Sequence, residues 1–140
     1  DGEVHCEDGP AVYFNSGSTQ WYQNGIRHRE GGPACEGANG DKHWYIHGEI
    51  HRENAPAIIY NDGREGWYLF GKPHKENGPA IEYPNGQKEW HIHGKLHRED
   101  GPAVEYTNVY KEWYLNGKKY GTNNDFNNQS WRHFQKSLLF

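Results

Sequence analysis

Short runs of alternating apolar and polar residues, separated by tight-turn dipeptides, fill most of the chain. A run such as "AIEY" (80–83) leads to Asn85-Gly86 and is followed by a second run, "KEWHIH" (88–93). Alternation with a period of two is typical of a strand with one buried face, and a glycine-containing dipeptide between two such runs predicts a β-hairpin. Asn39-Gly40 and Asp62-Gly63 stand in the same setting. The pattern therefore predicts a series of antiparallel hairpins.

The hairpin pattern repeats with a period of 23 residues and without a slip in register. Proline, glycine, histidine and tryptophan mark the period: Pro10, Pro33, Pro56, Pro79 and Pro102; Gly2, Gly25, Gly48, Gly71, Gly94 and Gly117; His5, His28, His51, His74 and His97; Trp21, Trp44, Trp67, Trp90 and Trp113. The five repeats cover residues 2–24, 25–47, 48–70, 71–93 and 94–116. A fixed period of this length indicates a stack of similar supersecondary units.

The position of the hairpin turn decides which residues share a face. If Asn85-Gly86 is a two-residue type I′ turn, Ile81 pairs with Trp90 and Glu82 pairs with Glu89. This register predicts an aromatic core face and an acidic wet face. The core face would carry Ile81, Tyr83, Trp90 and Ile92, and the wet face would carry Glu82, Glu89 and His91. Val109 replaces the turn glycine in the fifth repeat, which makes that turn the least ideal.

The repeated histidines are predicted to have a structural role. A second turn signal, Asn116-Gly117 and its equivalents, places His97 opposite Trp90, where its ring would pack against the indole. Equivalent residues of neighbouring hairpins lie roughly 10 Å apart, whereas each ligand nitrogen of a zinc ion lies about 2 Å from the metal. One column of histidines therefore cannot hold a metal between neighbours. His91 and His93 form an H-x-H pair on one face of a strand, but the sequence offers no third ligand, and no metal or cofactor is predicted.

The sequence changes character after Gly121. In "NNDFNNQSWRHFQKSLLF" (123–140), Asn124 or Asp125 can cap a helix, and apolar residues recur at near-helical spacing. Those residues are Phe126, Trp131, Phe134 and Leu138. We predict an all-β fold, a stack or solenoid of five antiparallel hairpins over residues 1–121, with a short capping helix in 122–140. Whether the segment from the repeated glycine to the histidine adds a third strand stays open.

Composition narrows the choice of partner. The net charge of −4 removes the counterion release that drives non-specific binding to nucleic acid, and it disfavours acidic membranes. No apolar run approaches the length of a membrane span. Cys6 and Cys35 are too few for a disulfide framework and lack metal-ligand spacing, which favours free thiols in a reducing compartment. The predicted location is the cytoplasm, with neither nucleic acid nor membrane as partner.

The motifs favour binding over catalysis. Neither a nucleophile elbow, a phosphate loop nor a zinc-protease helix occurs, and five copies of one catalytic dyad would be redundant, so the chain is predicted not to be an enzyme. Tyrosines recur one position after tryptophan on the solvent side, beside glutamates, and exposed tyrosine suits binding because it combines apolar area with a polar tip. The predicted binding residues are Tyr22, Tyr45, Tyr68, Tyr114, Glu82, Glu89, Glu105 and Glu112. The alternative is that tyrosine simply favours strands.

The repeat resembles a known family. The strings "WYLNGKK" (113–119), "WYIHGEIH" (44–51) and "HREDGPA" (97–103) look like a variant of the MORN repeat. More narrowly, they resemble the "NGK-x-HREDGPA" tandem repeats of phages, giant viruses and bacteria. The resemblance covers essentially the whole chain and implies stacked hairpins that serve as a scaffold or interaction module. Three steps rather than two separate tryptophan from asparagine in "WYLN", which departs from the ordinary MORN repeat.

Three functions are compatible with these patterns. The leading prediction is a non-catalytic protein-binding module, which the viral and phage resemblance would make an inhibitor of a host factor in the host cytoplasm. The second is a structural element of a virion or scaffold that forms homo-oligomers through its open N-terminal edge. The third is binding of a carbohydrate or another small ligand between the tyrosine-bearing repeats.

Overall fold

The alternating runs form short antiparallel β-strands, which confirms the all-β prediction. The computed structural model describes residues 2–139, in which there are 19 strands and one helix. The chain is organised as an N-terminal body (Asp1–Lys72) and a C-terminal body (Pro73–Phe140), and each is described by itself. The boundary falls within the fourth repeat rather than between repeats.

The N-terminal body contains an open sheet and small two-stranded hairpins. Its strands are β1 (Val12–Tyr13), β2 (Thr19–Gln20), β3 (Tyr22–Gln23), β4 (Ile26–Arg27), β5 (Cys35–Glu36), β6 (Lys42–His43), β7 (Tyr45–Ile46), β8 (Glu49–Ile50), β9 (Ile58–Ile59), β10 (Glu65–Gly66), β11 (Tyr68–Leu69) and β12 (Lys72–Pro73), the last of which spans the boundary. The sheet has the order β1-β2-β5-β6-β9-β10 with antiparallel neighbours. Strands β3–β4 and β7–β8 form separate pairs.

The C-terminal body follows the same plan and ends in the helix. Its elements are β13 (Ile81–Glu82), β14 (Lys88–Glu89), β15 (His91–Ile92), β16 (Lys95–Leu96), β17 (Val104–Glu105), β18 (Lys111–Leu115), β19 (Lys118–Thr122) and α1 (Asn128–Ser137). The sheet has the order β13-β14-β17-β18-β19. Strands β15 and β16 form the small hairpin. Among residues 2–139, no helix has the length and apolar character needed to cross a membrane.

Each repeat contributes to two sheets, and the tryptophan stands where the chain passes from one to the other. The N–H of Trp44 donates to the carbonyl of Ala57 in the main sheet at 2.8 Å, and its carbonyl accepts from His51 at 3.1 Å. The segment after Gly48 therefore does form a further strand, β8. That strand pairs with β7 in a small hairpin instead of joining the main sheet.

The hairpin turns have three loop residues, not the predicted two. The N–H of Tyr83 donates to the carbonyl of Gln87 at 3.0 Å, and the N–H of Gly86 donates to the carbonyl of Tyr83 at 2.9 Å. Of the loop residues, only Gly86 has a positive φ, of 90°. The same loop closes at Tyr60 and at Gly37, where it contains no proline, so the repeats share a type I turn that ends in a left-handed glycine. The predicted type I′ turn at Asn85-Gly86 is therefore wrong.

The longer loop shifts the register by one residue, which exchanges the faces of the strand. Ile81 lies opposite Glu89, and Glu82 lies opposite Lys88. The predicted pairing of Glu82 with Glu89 is wrong for this reason. Tyr83 and Glu89, which were predicted on opposite faces, share one face. The fifth turn closes with the same bond, from Tyr106 N–H to the carbonyl of Tyr110 at 3.1 Å, although Val109 replaces its glycine.

The second turn lies where it was predicted and has type I′ geometry. Both central residues have positive φ, for example 50° at Asn24 and 73° at Gly25, and the same holds at the equivalent turns of later repeats. The predicted register is confirmed, because the N–H of His97 donates to the carbonyl of Trp90 at 3.0 Å. Histidine or phenylalanine accepts the left-handed conformation at three of these turns: His47, Phe70 and His93.

Alanine, together with tryptophan, provides the most buried positions. Ala11 of the first repeat is half-buried, but the alanine after each later repeated proline has no exposed surface and supplies a carbonyl or N–H that links neighbouring strands: Ala34 and Ala57 in the N-terminal body, and Ala80 and Ala103 in the C-terminal body. A larger side chain would meet close-packed atoms there. The predicted aromatic core did not include these small residues.

The C-terminal helix covers the last repeat, as predicted, but it begins later than expected. Its N-cap is Asn127, whose side chain accepts from the backbone N–H of Ser130 while Ser130 Oγ accepts from Asn127 N–H. The predicted caps Asn124 and Asp125 are wrong. Asp125 instead accepts from the N–H of Thr122 at 2.8 Å, which closes the turn that follows β19.

Tryptophan and phenylalanine rings form the contact under the helix. Trp131 has no exposed surface, and its ring lies 5.2 Å from that of Phe126 and 5.8 Å from that of Phe134. Phe126 in turn lies 6.1 Å from Trp113, the buried tryptophan of the fifth repeat. Leu138, the last residue of the predicted apolar stripe, lies beyond the helix and is exposed.

Candidate functional site

The predicted tyrosine row lies half-buried rather than fully exposed. Its members are Tyr22, Tyr45, Tyr68 and Tyr114. In the N-terminal body, the Arg27 guanidinium lies 5.6 Å from the ring centre of Tyr22 and 4.9 Å from that of Tyr45. The strand turns at the tryptophan into the small hairpin, so the tyrosines face polar side chains of the main sheet. We call this side of each body the tyrosine face.

The predicted glutamates divide between the two sides of the sheet. Glu82 and Glu105 lie on the side away from the tyrosines, and each is a register partner of Lys88. Lys88 Nζ lies 3.6 Å from Glu82 Oε2, and both side chains are more than a third exposed. Alternating charges on neighbouring strands stabilise a sheet modestly, so this side is a solvated charge ladder and not an acidic face. Glu89 and Glu112 lie on the tyrosine face.

Glu112 is the carboxylate with the most complete set of partners. The hydroxyls of Tyr106 and Tyr114 donate to its Oε2 at 3.4 and 3.1 Å, and that of Tyr110 donates to Oε1 at 3.3 Å. Lys119 Nζ contacts the same carboxylate. Burial by itself would raise the pKa of Glu112, but the hydrogen bonds from Lys119 and the tyrosines outweigh burial and hold that pKa below its ordinary value.

Glu89 repeats this arrangement with different partners. Its carboxylate accepts from Tyr83 at 3.3 Å and from Gln87 at 3.1 Å, and it lies 3.1 Å from His91 Nε2. The hydrogen bond with His91 is the main cause of a lowered pKa at Glu89. The predicted placement of His91 and His93 on one face is wrong, because His93 lies in the second turn and stacks on His74.

A second surface repeats with the 23-residue period and was missed in the sequence. In the three repeats where arginine follows the histidine, its guanidinium lies over a tryptophan: Arg29 over Trp21 at 3.8 Å, Arg52 over Trp44 at 4.0 Å and Arg98 over Trp90 at 3.9 Å. Each arginine also donates from Nη1 to the carbonyl of the proline four residues later. The recurrence of Arg at a fixed distance from Trp was the available signal.

These arginines and tryptophans line a set of similar grooves, which we call the Trp grooves. They are centred on Trp21, Trp44 and Trp90, and have volumes of about 630, 600 and 670 Å³. Glutamates stand at their rims with 77–89% of the side chain exposed: Glu7, Glu30, Glu53 and Glu99. Each groove therefore combines an aromatic floor, a fixed cation and exposed carboxylates, which lie 3.7–4.0 Å from Nε2 of the repeated histidines.

The repeated histidines connect one repeat to the next. Nδ1 of each accepts a hydrogen bond from the backbone N–H of the residue 19 positions later, at 3.0–3.2 Å; the donors are Asn24, His47, Phe70, His93 and Asn116. The rings of His28, His51 and His74 contact the ring of that residue in a tilted arrangement, with centroids 4.8, 4.3 and 4.5 Å apart. The repeated histidines therefore have a structural role, as predicted, and they fulfil it by binding the turn that follows in the chain. Nδ1 must be unprotonated to accept this hydrogen bond.

Histidine, cysteine and acidic side chains are the residues that could ligate a metal ion in this chain. No group of three or more histidine, cysteine or acidic side chains between residues 2 and 139 is placed to hold a metal ion. Cys6 and Cys35 are free thiols, Cys6 being exposed and Cys35 half-buried. Burial raises the pKa of Cys35, although the nearby Arg27 opposes the shift.

Comparison with known proteins adds no assignment. No protein-family model matches the chain, and a search of curated proteins finds no match either. The resemblance of the repeat to MORN repeats therefore stays a prediction, which depends on the sequence strings themselves.

Proposed function

We propose that the protein is a non-catalytic protein-binding module and that the Trp grooves form its binding surface. The observation that carries this proposal is the recurrence of one groove at Trp21 and again at Trp44 within the N-terminal body. Equivalent positions of neighbouring hairpins lie roughly 10 Å apart. A partner can therefore engage two similar sites at once, which raises the overall affinity.

The chemistry of the grooves supports a protein partner. Tryptophan and arginine are enriched at the energetically important centres of protein interfaces, and charged groups at the rim contribute to orientation and association rate. Glu30 and Glu53 place such charges beside Arg29 and Arg52. The resemblance to phage and giant-virus repeats favours a host protein as the partner, with the cytoplasm as the location.

Photocrosslinking tests whether the grooves are the binding surface. A photoreactive amino acid at Glu30 or Glu53 is expected to yield a defined crosslinked protein in an extract of the source cells. The same amino acid at Glu49 or Glu65, which are exposed but do not line a groove, is the matched control. Crosslinks of equal yield from both pairs, or from neither, would contradict the proposal.

Affinity for the captured protein supplies the second measurement. The double variant Glu30→Lys/Glu53→Lys is expected to weaken binding about tenfold or more, because it reverses two rim charges. Glu49→Lys/Glu65→Lys changes the net charge equally and is expected to leave the dissociation constant within about twofold. Similar losses in both variants would indicate a general effect of charge.

Self-association through β1 is a second candidate function. The outer edge of β1 has no strand partner among residues 2–139, and Tyr13 is 72% exposed. Open edges of this kind pair readily with other strands. Cys6, however, occupies the position that Arg29 has in the next repeat, so this edge lacks the guanidinium that would cover a further tryptophan.

Light scattering coupled to size exclusion distinguishes the two functions. If β1 mediates assembly, the mass rises with concentration, and Tyr13→Lys returns it to that of the monomer because an edge lysine opposes pairing. Lys substitution at Val109, which is 84% exposed in a hairpin loop, is the control. A monomer at every concentration would exclude assembly by this chain.

A further inference from the structure

The N-terminal body contains a cleft on its tyrosine face that differs from the Trp grooves. It has a volume of about 280 Å³ and lies where β2, β5 and β6 approach the small hairpins. Arg27, Cys35, His43 and Tyr45 contribute to its lining, together with Thr19 and Gln20. The cleft therefore combines one permanent cation with several neutral polar groups, and two carboxylates, Glu36 and Asp41, stand at its rim.

Two polar atoms of this lining are buried without a partner. Arg27 Nε and His43 Nε2 make no hydrogen bond to any group among residues 2–139. Buried donors are nearly always paired, because an unpaired one loses its hydration without compensation. Both residues line the same cleft, so a hydrogen-bond acceptor that enters the cleft can pair with these nitrogens.

The charge of Arg27 is also unmatched. Its Nη2 donates to Gln20 Oε1 at 3.3 Å and to Tyr22 Oη at 3.2 Å, and among residues 2–139 no carboxylate forms an ion pair with it. The carboxylates at the rim are already engaged: Glu36 accepts from Arg29, and Asp41 accepts from the N–H of Asn61. Neither has to be displaced for Arg27 to accept a new anion.

In the equivalent position four repeats later, the protein has a carboxylate of its own beside the cation. Gln20, Tyr22 and Arg27 correspond by the 23-residue period to Glu112, Tyr114 and Lys119. In the C-terminal body, the cation at this place contacts the carboxylate of Glu112, and Tyr114 donates to the same carboxylate. In the N-terminal body the cation and the tyrosine are retained, and a neutral amide replaces the carboxylate.

We propose that the Arg27 cleft binds a carboxylate group of a ligand, which takes the part that Glu112 has beside Lys119. Arg27 is the principal donor and His43 the second. The limited volume suits a single carboxylate with a few attached atoms, either a small free acid or the C-terminal carboxylate of a peptide. This inference is independent of the Trp grooves and of the function proposed for them.

The neighbouring groups are suited to receiving an anion. Burial, followed by the nearby Arg27, lowers the pKa of His43, while Asp41 opposes the shift. An anion held between Arg27 and His43 would favour the charged imidazole, so ligand binding is expected to raise the pKa of His43. This change can be followed separately from affinity.

Nuclear magnetic resonance titration of the full chain tests the proposal. Sodium acetate represents a free acid, N-acetylglycine represents a peptide C-terminus, and N-acetylglycinamide is its uncharged control. Both acids are expected to cause saturable shifts of the Arg27 Nε–H and His43 ring signals, whereas the amide and sodium chloride at equal ionic strength are not. Tighter binding of N-acetylglycine than of acetate would identify a peptide terminus as the preferred source, and equal affinity would identify small acids.

Three variants decide whether the cleft is responsible. Arg27→Gln is expected to weaken acid binding at least about tenfold, since it removes a charge-assisted hydrogen bond. Gln20→Glu is expected to abolish binding with the fold retained, because it supplies an internal carboxylate. Arg64→Gln, at an exposed arginine already paired with Asp62, is the control and should bind as the parent does. Absence of saturable shifts, or binding that persists in Gln20→Glu, would overturn the proposal.

Discussion

Replacement of Trp131 by alanine is expected to lower the free energy of unfolding by about 3–5 kcal/mol, the range typical of large aromatic side chains in a core. Trp131 has no exposed surface, and its ring packs against Phe126, Phe134 and Tyr120. The cavity would also loosen Phe126, which covers Trp113. Urea unfolding followed by circular dichroism measures the change.

Two further substitutions show whether the loss of stability in Trp131→Ala comes from the missing aromatic ring. Trp131→Phe is expected to cost much less, because an aromatic ring stays in place and the indole Nε1 has no hydrogen-bond partner among residues 2–139. Leu139→Ala, at a residue that is 81% exposed, is expected to change stability by no more than about 0.5 kcal/mol. A loss below about 1 kcal/mol in Trp131→Ala would mean that the helix does not stabilise the last repeat.

Acidification is expected to destabilise the protein through His74, one of the repeated histidines. Burial lowers the pKa of His74 below its ordinary value, the nearby His93 adds to this shift, and Glu76 opposes it. The unfolded chain therefore takes up a proton before the folded protein does. The stabilising contribution is complete above the unfolded pKa of about 6.5 and is lost as pH falls from there through the lower folded pKa.

A variant that keeps the hydrogen bond but cannot titrate isolates this effect. In His74→Asn, the side-chain oxygen can still accept from the N–H of His93, so the free energy of unfolding should fall less steeply with pH than in the parent protein. His133→Asn, at an exposed helical position, should retain the parent slope. Equal slopes in the parent and His74→Asn would show that His74 does not contribute to acid sensitivity.

The repeat made most of the fold predictable, and the loop chemistry explains where prediction failed. The period predicted the hairpins and the second turn, and near-helical spacing of apolar residues predicted the C-terminal helix, because turn residues and side-chain patterns act locally. The first turn was misassigned because Asn85-Gly86 fits a two-residue type I′ turn and equally fits the last two positions of a three-residue loop that ends in a left-handed glycine. The shift of one residue in register then placed Glu89 on the same face of the sheet as Tyr83, whereas the two were predicted on different faces.

The candidate sites were less predictable because they depend on how two sheets meet. The row of Tyr22 and its equivalents was expected to be exposed, but the chain turns at each tryptophan and brings the tyrosines against polar neighbours. The pairing of Arg52 with Trp44 crosses between repeats, and its signal was the recurrence of arginine eight positions after tryptophan, which alternation and turn residues do not reveal. The contrast between Gln20 and Glu112 was present in the sequence, yet it acquired meaning only when Arg27 and Lys119 were located beside them.

The type I′ turn that joins two repeats, in which the repeated glycine is the second central residue, allows the gene to lose or gain a whole repeat without disturbing the fold at the junction. Loss of residues 25–47 would join Asn24 directly to Gly48 and restore an Asn-Gly turn, which tolerates two positive φ values. His5 would still lie 19 positions before Asn24, which already donates its N–H to the His5 ring. Unequal recombination can therefore change the copy number in whole units without creating an unfamiliar junction.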